Sequence, residues 1–176
     1  MDRTWIPRFL FAACALHVAV PAAAGQSVGG SAIVNASLGT TVTGGHAESV
    51  GFGIADDGVT VTINAERIHV PRRRRANGTV TFGTVEVRFG RTRTTRFSSY
   101  SLIAVGHGVS SPNEIGYSPL QERIRNSAKL LVLGVGTNRN VREHLAIFAD
   151  GRIAFIVEKD VLWWVFPIRA GLAYRF

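Results

Sequence analysis

The chain has 176 residues and a formal net charge of +8, with a pI near 11.0 to which only two lysines, Lys129 and Lys159, contribute beside the arginines. Its one cysteine, Cys14, excludes an intramolecular disulfide, and it leaves the rest of the chain without thiols for catalysis or metal binding. The length predicts a single domain of about 150 residues after loss of an N-terminal segment.

Residues 1–24 have the pattern of a secretory signal peptide. Arg3 and Arg8 precede an apolar run over residues 9–20, and small alanines follow it. The run is too short for a membrane-spanning helix, which needs about 20 apolar residues. We therefore predict cleavage after Ala24.

Cleavage leaves a mature domain over residues 25–176. Two alternatives remain for the N-terminal segment. A buried helix is one, although the segment lacks an amphipathic pattern. A lipoprotein acylated at Cys14 is the other, although that cysteine lies inside the apolar run with Phe11 three residues before it.

Export changes the meaning of the basic charge. In a cytosolic protein such a charge would suggest nucleic-acid binding, but an exported chain does not meet nucleic acid. The phosphate-bearing head groups of lipopolysaccharide and other outer-membrane lipids are the expected partners instead.

The C-terminal segment alternates apolar side chains with charged, small or proline residues. This is the period of a β-strand, in which alternate side chains lie on opposite faces. The apolar face is about twice as long as in an ordinary strand of five or six residues, and it fits a tilted strand that crosses a bilayer. Aromatic side chains cluster at both ends, as at the two membrane interfaces. The apolar face consists of Leu162, Trp164, Phe166, Ile168, Ala170, Leu172, Tyr174 and Phe176.

Other segments alternate in the same way, with threonine, asparagine and charged residues between the apolar ones. The polar faces are predicted to point inward and the apolar faces outward. Segments 96–109 and 128–139 are too apolar or too rich in glycine for a face to be assigned. The alternating segments are 32–38, 50–54, 59–65, 85–89 and 145–157.

We predict eight strands, since each alternating or apolar segment is bounded by turn residues. Alternate connections are short, at 55–58, 91–95 and 140–144, whereas 71–78 and 110–127 are longer. Short periplasmic turns and longer external loops have this rhythm, although the tight connection 158–160 departs from it. The predicted strands are 32–42, 47–55, 59–70, 79–91, 96–109, 128–139, 145–158 and 161–176.

The last seven residues, 170–176, resemble the closing strand of bacterial outer-membrane barrels, in which a glycine is followed by alternating apolar residues and a terminal phenylalanine. The whole mature chain is similar to the small eight-stranded, porin-like barrels and the OmpA-like transmembrane domain. The resemblance implies an all-β, eight-stranded antiparallel transmembrane β-barrel and insertion by the barrel-assembly machinery. It implies no peptidoglycan anchor. The residues that would form the assembly signal are Gly171, Leu172, Tyr174 and Phe176.

Elementary physics favours the same architecture. Backbone groups in hydrocarbon need internal partners, which only helices or closed barrels supply. An eight-stranded interior is just wide enough for side chains to fill, so we expect a plugged lumen. We also expect a monomer. The predicted lumen charge network consists of Glu66, Glu86, Arg88, Asp150, Arg152 and Arg169.

Four consecutive arginines, Arg72, Arg73, Arg74 and Arg75, are the most distinctive local feature. Guanidinium groups bind phosphate with two parallel hydrogen bonds, so this segment is a candidate anionic-ligand site on an external loop. The alternative is a solvated loop without a ligand.

No catalytic, metal or cofactor site is predicted. His107, Ser110 and Ser111 lie close in sequence, followed by Glu114, but loop starts often contain such residues. Barrel enzymes that deacylate lipid A place histidine and serine two residues apart, and that spacing is missing here. The other histidines do not approach metal-ligand spacing, and the glycine pairs follow no phosphate-binding motif. The scattered histidines are His46, His69 and His144.

Three function classes follow, in order of preference: a structural or surface-interaction protein, a narrow porin-like channel for small solutes, and a lipid A-modifying enzyme. A soluble lipocalin-like barrel or β-sandwich is the competing fold. Its apolar faces would point inward and its polar faces outward.

Overall fold

The computed structural model describes residues 30–56, 58–73, 76–90, 97–112, 126–158 and 161–176. The predicted signal peptide therefore lies outside the described residues. No helix in these ranges is long and apolar enough to cross a membrane. The strands are β1 (Ser31–Thr41), β2 (His46–Asp56), β3 (Val59–Arg73), β4 (Ala76–Gly90), β5 (Phe97–Pro112), β6 (Asn126–Asn140), β7 (Leu145–Glu158), β8 (Val161–Val165) and β9 (Pro167–Arg175).

Every strand pairs antiparallel with its neighbours, and β9 returns to pair with β1, so the sheet closes into a barrel. Strands β8 and β9 pair with β7 in one continuous register and form a single wall strand that is interrupted at Phe166. Pro167 follows the interruption, and it has no N–H to donate to the ladder. The wall thus has eight strands, which confirms the predicted fold.

The strands are tilted, as the pairing register shows. Starting from Ser37, we step from each residue to the residue paired with it on the next strand. The path passes through Glu66 and Ala128 and ends at Val161. Ser37 itself pairs with Gly171, ten residues further along the same wall strand. This stagger is the shear that tilts barrel strands by about 35–45° from the axis.

The apolar faces point outward. Ile168 and Leu172 are 56% and 53% exposed, whereas Arg169 between them is 2% exposed and faces the lumen. The same alternation holds along β3, where Ile63 is exposed and Glu66 is buried. A soluble barrel would have the opposite arrangement, so the lipocalin-like alternative is wrong.

The structure assigns the two faces that the sequence left open. In β5, Leu102 and Ala104 point into the lumen, and Ile103 and Val105 point outward. Strand β6 does the same, with Val132 fully buried. Both faces are apolar because part of the lumen is itself apolar, and alternation cannot reveal such a strand.

The prediction of a long connection over residues 71–78 is wrong. Strand β3 continues to Arg73 and β4 begins at Ala76, because the two strands extend beyond the irregularity after Val70 and pair again at their tip. The connection predicted over 110–127 is also shortened by strand at both ends, to 113–125. Among the connections between the described strands, only this one is longer than the connection over residues 91–96.

We call the end of the barrel with residues 30 and 176 the terminal end, and the opposite end the hairpin end. The turn from β1 to β2 lies at the hairpin end, where Gly44 adopts a φ of 89° that side-chain-bearing residues rarely take. Its N–H donates to Thr41 O at 2.9 Å, so the reversal is tight.

Candidate functional site: the lumen and the outer rim

The lumen contains a layer of paired charges, called here the charged layer. Arg152 donates to both carboxylate oxygens of Asp150, at 2.7 and 2.9 Å, and to Glu86 at 2.5 Å. Such charge-assisted and bidentate bonds are the strongest hydrogen bonds in proteins. The layer brings together all six residues of the predicted network: Glu66, Glu86, Arg88, Asp150, Arg152 and Arg169.

Arg169 links the remaining carboxylate to the layer. Its Nη1 donates to Glu66 Oε1 at 3.0 Å and to Ser49 Oγ at 3.3 Å, and its Nε donates to Asp150 at 3.3 Å. Three guanidinium groups thus face three carboxylates, and Tyr100 adds a hydroxyl that donates to Asp150 at 3.0 Å. Charges out of contact with water need this degree of compensation.

An apolar layer closes the lumen on the hairpin side of the charges. On strands that run toward the hairpin end, the apolar residue follows the charged one, as Ile68 follows Glu66 on β3. On strands that run toward the terminal end, the apolar residue comes first, as Val165 precedes Arg169. All its members are at most 4% exposed. They are Ile68, Val80, Phe82, Leu130, Val132, Ile156 and Val165.

Inward-facing aromatic rings lie over glycines on the neighbouring strands. A Cβ on Gly171 would lie 2.6 Å from Phe148 Cζ, and closer still to Ala36 O. The glycines make room for the rings inside a narrow barrel, an arrangement known to stabilise β-sheets at glycine positions. The cross-strand pairs are Phe82 with Gly108, Tyr100 with Gly136, and Phe148 with Gly171.

These aromatic residues were missed in the sequence. Each occupies an inward position, and each is paired directly with a glycine on the next strand. In the sequence, the glycine pairs lack a phosphate-binding motif but do not indicate the rings that lie over them. Knowledge of the register would have shown the pairing, but alternation alone does not fix register.

A small cavity of about 80 Å³ opens at the terminal end below the charged layer. Arg88 lines it, and its guanidinium carbon lies 4.5 Å from the centre of the Phe148 ring and 5.2 Å from that of Tyr100. Its Nε donates to Glu86 at 2.6 Å. The cavity has room for a few water molecules and ends at the charged layer.

Polar side chains occupy the outer surface near the hairpin end. His46 and His69 stack with ring centres 4.7 Å apart, and His69 Nδ1 lies 3.2 Å from Thr79 Oγ1. Arg67 Nη1 donates to Glu48 at 3.3 Å. These side chains lie on the outward positions of β2, β3 and β4, beyond the apolar ones.

Aromatic side chains lie on the wall strand formed by β8 and β9, which β1 separates from β2. Trp164 and Phe166 pack edge to face, with ring centres 5.0 Å apart, and Trp164 is 58% exposed. At the terminal end Tyr174 and Phe176 form a similar pair at 4.8 Å. Aromatic rings at two heights are typical of the two interfaces of a membrane.

The structure separates the predicted histidine and serine. His107 faces outward, whereas Ser110 faces inward and donates to Glu158. His107 instead approaches Ser127 of β6, with Nε2 at 3.5 Å from the hydroxyl oxygen. No carboxylate among the described residues orients the imidazole as the third member of a catalytic triad would, and Glu114 lies outside those residues.

The remaining predicted residues lie as follows. Arg72 and Arg73 end β3, and Arg74 and Arg75 lie outside the described residues. Gly171, Leu172 and Tyr174 belong to β9, and the Phe176 N–H donates to Ala32 O at 2.9 Å. In the described part of the chain no three histidine, aspartate or glutamate side chains are arranged to hold a metal ion.

Comparison with known proteins gives structural similarity only. No protein-family model matches the chain, and no curated protein is similar to it in sequence. Neisserial surface protein A superposes with a TM-score of 0.61 and 11% identity over 84% of this chain and 96% of that one. The N-terminal β-barrel domain of Pseudomonas aeruginosa OprF gives 0.58 and 15%, over 84% and 99%.

A third similar structure is Ail, the attachment invasion locus protein of Yersinia pestis, with a TM-score of 0.54 and 17% identity over 84% of this chain and 98% of that one. Ail has also been crystallised with the heparin analogue sucrose octasulfate; that structure gives 0.50 and 18% identity, over 84% and 99%. At these identities the likeness establishes the fold. The chain has the closed architecture of the small eight-stranded outer-membrane β-barrel proteins, and this architecture supports an outer-membrane location.

Proposed function

We propose that this protein is an outer-membrane surface-interaction protein whose hairpin end contacts anionic envelope or extracellular partners. The observation that carries the proposal is the filled lumen. Two successive layers, one of paired charges and one of packed apolar side chains, occupy the interior. A barrel with such an interior acts through its outer surface and its connections.

The orientation follows from the connections. Transmembrane barrels have short periplasmic turns and longer external loops. The longest connection, 113–125, lies at the hairpin end, as does the turn from β3 to β4 with its four arginines. The hairpin end is therefore assigned to the outside and the terminal end to the periplasm.

The proposed contact for anions is a segment that we call the arginine tip, which consists of Arg72, Arg73, Arg74 and Arg75. Arg72 and Arg73 end β3, and only residues 74 and 75 separate this strand from β4. Four consecutive arginines in the sequence offer repeated bidentate guanidinium donors to phosphate or sulfate groups. The Ail complex with a heparin analogue makes a sulfated polysaccharide a suitable probe.

Cysteine labelling tests the orientation. Thr43→Cys at the hairpin end and Arg142→Cys at the terminal end are both exposed, and the mature chain is predicted to contain no other thiol. A membrane-impermeant maleimide applied to whole cells should label only the Thr43→Cys variant, with the parent chain as the blank. Labelling of only the Arg142→Cys variant would reverse the orientation and overturn the proposal.

Polyanion binding tests the arginine tip. Cells that display the parent chain should bind heparin-coated beads, and this binding should weaken with salt because it rests on exposed charge. Replacement of all four arginines by glutamine should reduce binding at least about tenfold, the loss of roughly 1.4 kcal/mol. Arg72→Gln with Arg73→Gln should have an intermediate effect.

The matched control is Arg139→Gln with Arg142→Gln, which removes two exposed arginines from the terminal end. It should bind heparin as the parent does. Equal binding by the quadruple variant, or no binding by the parent to heparin or to lipopolysaccharide-coated beads, would overturn the proposed contact.

The channel alternative predicts ion conductance. A lumen blocked by two layers predicts no conductance steps in planar bilayers. Steady single-channel steps from the purified parent chain would favour the channel and displace the surface-interaction proposal.

A further inference from the structure

We infer that the outer wall at the hairpin end binds a glycolipid that carries two phosphate groups on one disaccharide, through a surface that we call the basic arc. The inference rests on the outward placement of the hairpin end in the proposed function, and it concerns different residues. The basic arc consists of His46, Arg67, His69, His107 and Lys129.

All members of the basic arc point away from the lumen. Ile68, between Arg67 and His69, is fully buried, and so is Ala128, next to Lys129. Because side chains alternate along a strand, the residues on either side of these buried positions face outward. The side chain of Arg67 is 38% exposed and its partner Glu48 is 32% exposed.

The arc forms two clusters. His46 is paired with His69 across β2 and β3, and Arg67 lies two residues before His69 on the same face of β3. His107 is paired directly with Lys129 across β5 and β6. Strand β4 lies between the clusters. With adjacent strands about 4.8 Å apart, the clusters lie about 10–15 Å from each other around the wall.

Small polar side chains occupy the outer wall between the clusters. Thr79 and Thr81 on β4 pair with His69 and Arg67, and Gly83 follows them toward the terminal end. Hydroxyl groups and a residue without a side chain leave a shallow surface on which sugar rings can lie. Two cationic clusters on either side of it match a disaccharide with a phosphate at each end.

The apolar wall beneath the arc is short. On β3 the outward apolar positions run only from Val59 to Ala65, after which Arg67 follows. On the wall strand formed by β8 and β9 they run from Leu162 to Phe176. Cations are costly in hydrocarbon and cost little at the interface, so the arc lies at the depth of lipid head groups.

The charge of the arc suits phosphate. Arg67 and Lys129 supply guanidinium and ammonium donors, and the histidines add N–H donors. Glu48 is the only carboxylate on this part of the outer wall among the described residues, and it engages Arg67 through one nitrogen only. The remaining donors of that planar guanidinium can bind a second oxyanion.

The proposed ligand is the diphosphorylated glycolipid of the outer leaflet. A glycerophospholipid has a single bridging phosphate and could satisfy one cluster at a time. A ligand that spans both clusters gains from the second contact without losing further freedom of motion, so it should bind more tightly than one-phosphate lipids.

Native mass spectrometry of the full chain in mild detergent tests this. Three probes are added separately: diphosphoryl lipid A, monophosphoryl lipid A and phosphatidylglycerol. The parent should retain the diphosphoryl form at least about tenfold more tightly than phosphatidylglycerol, with the monophosphoryl form between them. Equal retention of all three would overturn the inference.

Two single variants then separate the clusters. Lys129→Gln and Arg67→Gln should each lower retention of the diphosphoryl form to the level of the monophosphoryl form. Glu48→Gln combined with Arg67→Gln repeats the second test without leaving a carboxylate unpaired. Arg139→Gln with Arg142→Gln, at the terminal end, is the control and should retain lipid as the parent does.

The outcomes distinguish this inference from the proposed function. Loss of heparin binding in the quadruple arginine variant with unchanged lipid retention supports two independent surfaces. Lipid retention by a parent chain that binds no heparin would remove the proposed contact and leave the inference standing. Unchanged diphosphoryl lipid retention in both single variants would overturn the inference alone.

Discussion

Arg152 and Asp150, two residues apart on β7, form a bidentate pair in the lumen through Nε and Nη2 of the guanidinium. Neighbours of this kind share one face of a strand, so the pair is set by local geometry. The third contact of Arg152, to Glu86, joins it to a residue 66 positions away. A local pair thus anchors a long-range network.

Arg152→Met should destabilise the folded barrel by about 3–5 kcal/mol, because it leaves Asp150 and Glu86 buried without their main cation. Unfolding in urea measures the loss in the free energy of unfolding. The folded fraction at each urea concentration is read from the heat-modifiable band on a detergent gel. The double variant Glu86→Gln with Arg152→Met should recover part of it. A single variant as stable as the parent would show that the network contributes little.

Gly171→Ala should reduce the yield of folded barrel, with a cost of about 1–3 kcal/mol from overpacking against Phe148 and the backbone of β1. Gly151→Ala is the matched control, since a Cβ there meets nothing within 4 Å. The folded fraction after refolding into detergent micelles gives the comparison. Equal yields for the two variants would contradict the packing of Phe148 over Gly171.

Removal of one ion pair from the charged layer should not open the barrel. Glu66→Ala with Arg169→Ala leaves Phe82, Ile68 and the rest of the apolar layer in place. Planar-bilayer recordings should show no conductance until Phe82→Ala is added. Steps that appear in the variant without the Phe82 change would show that the apolar side chains do not seal the lumen.

Leu162 and Ile168 are similarly exposed on the outer wall, but they should respond differently to substitution by a charged residue. Ile168 lies in the middle of the apolar outer face and Leu162 lies at its hairpin end. In a bilayer, Ile168→Lys should cost about 2–4 kcal/mol and Leu162→Lys about 0–1 kcal/mol. Urea unfolding in lipid vesicles measures both. Equal costs would contradict the membrane depth assigned to this wall strand.

Alternation in the sequence predicts the fold because the two faces of most strands meet different surroundings. It places Glu66, Asp150 and Arg169 in the lumen for the same reason. It does not predict their contacts, since the Arg169 and Glu66 side chains that meet at 3.0 Å are 103 residues apart and depend on register.

The alternation gives no answer for β5 and β6, where the lumen is apolar as well. It also leaves out the glycines under Phe82, Tyr100 and Phe148. The basic arc shows a further limit. His46 and His69 are 23 residues apart in the sequence, and only the pairing of β2 with β3 brings His46 beside His69 and Arg67.

The pairing of β1 with β9 also determines when the protein can first become stable. Until β9 arrives, β1 and β7 each present a row of unsatisfied backbone groups that hydrocarbon cannot solvate. No part of the wall is self-sufficient, so the barrel becomes stable only when β9 pairs with both β1 and β7. A chain interrupted before β9 should be degraded in the periplasm, because its barrel cannot close. Quality control can therefore monitor a single event, the pairing of β9 with β1.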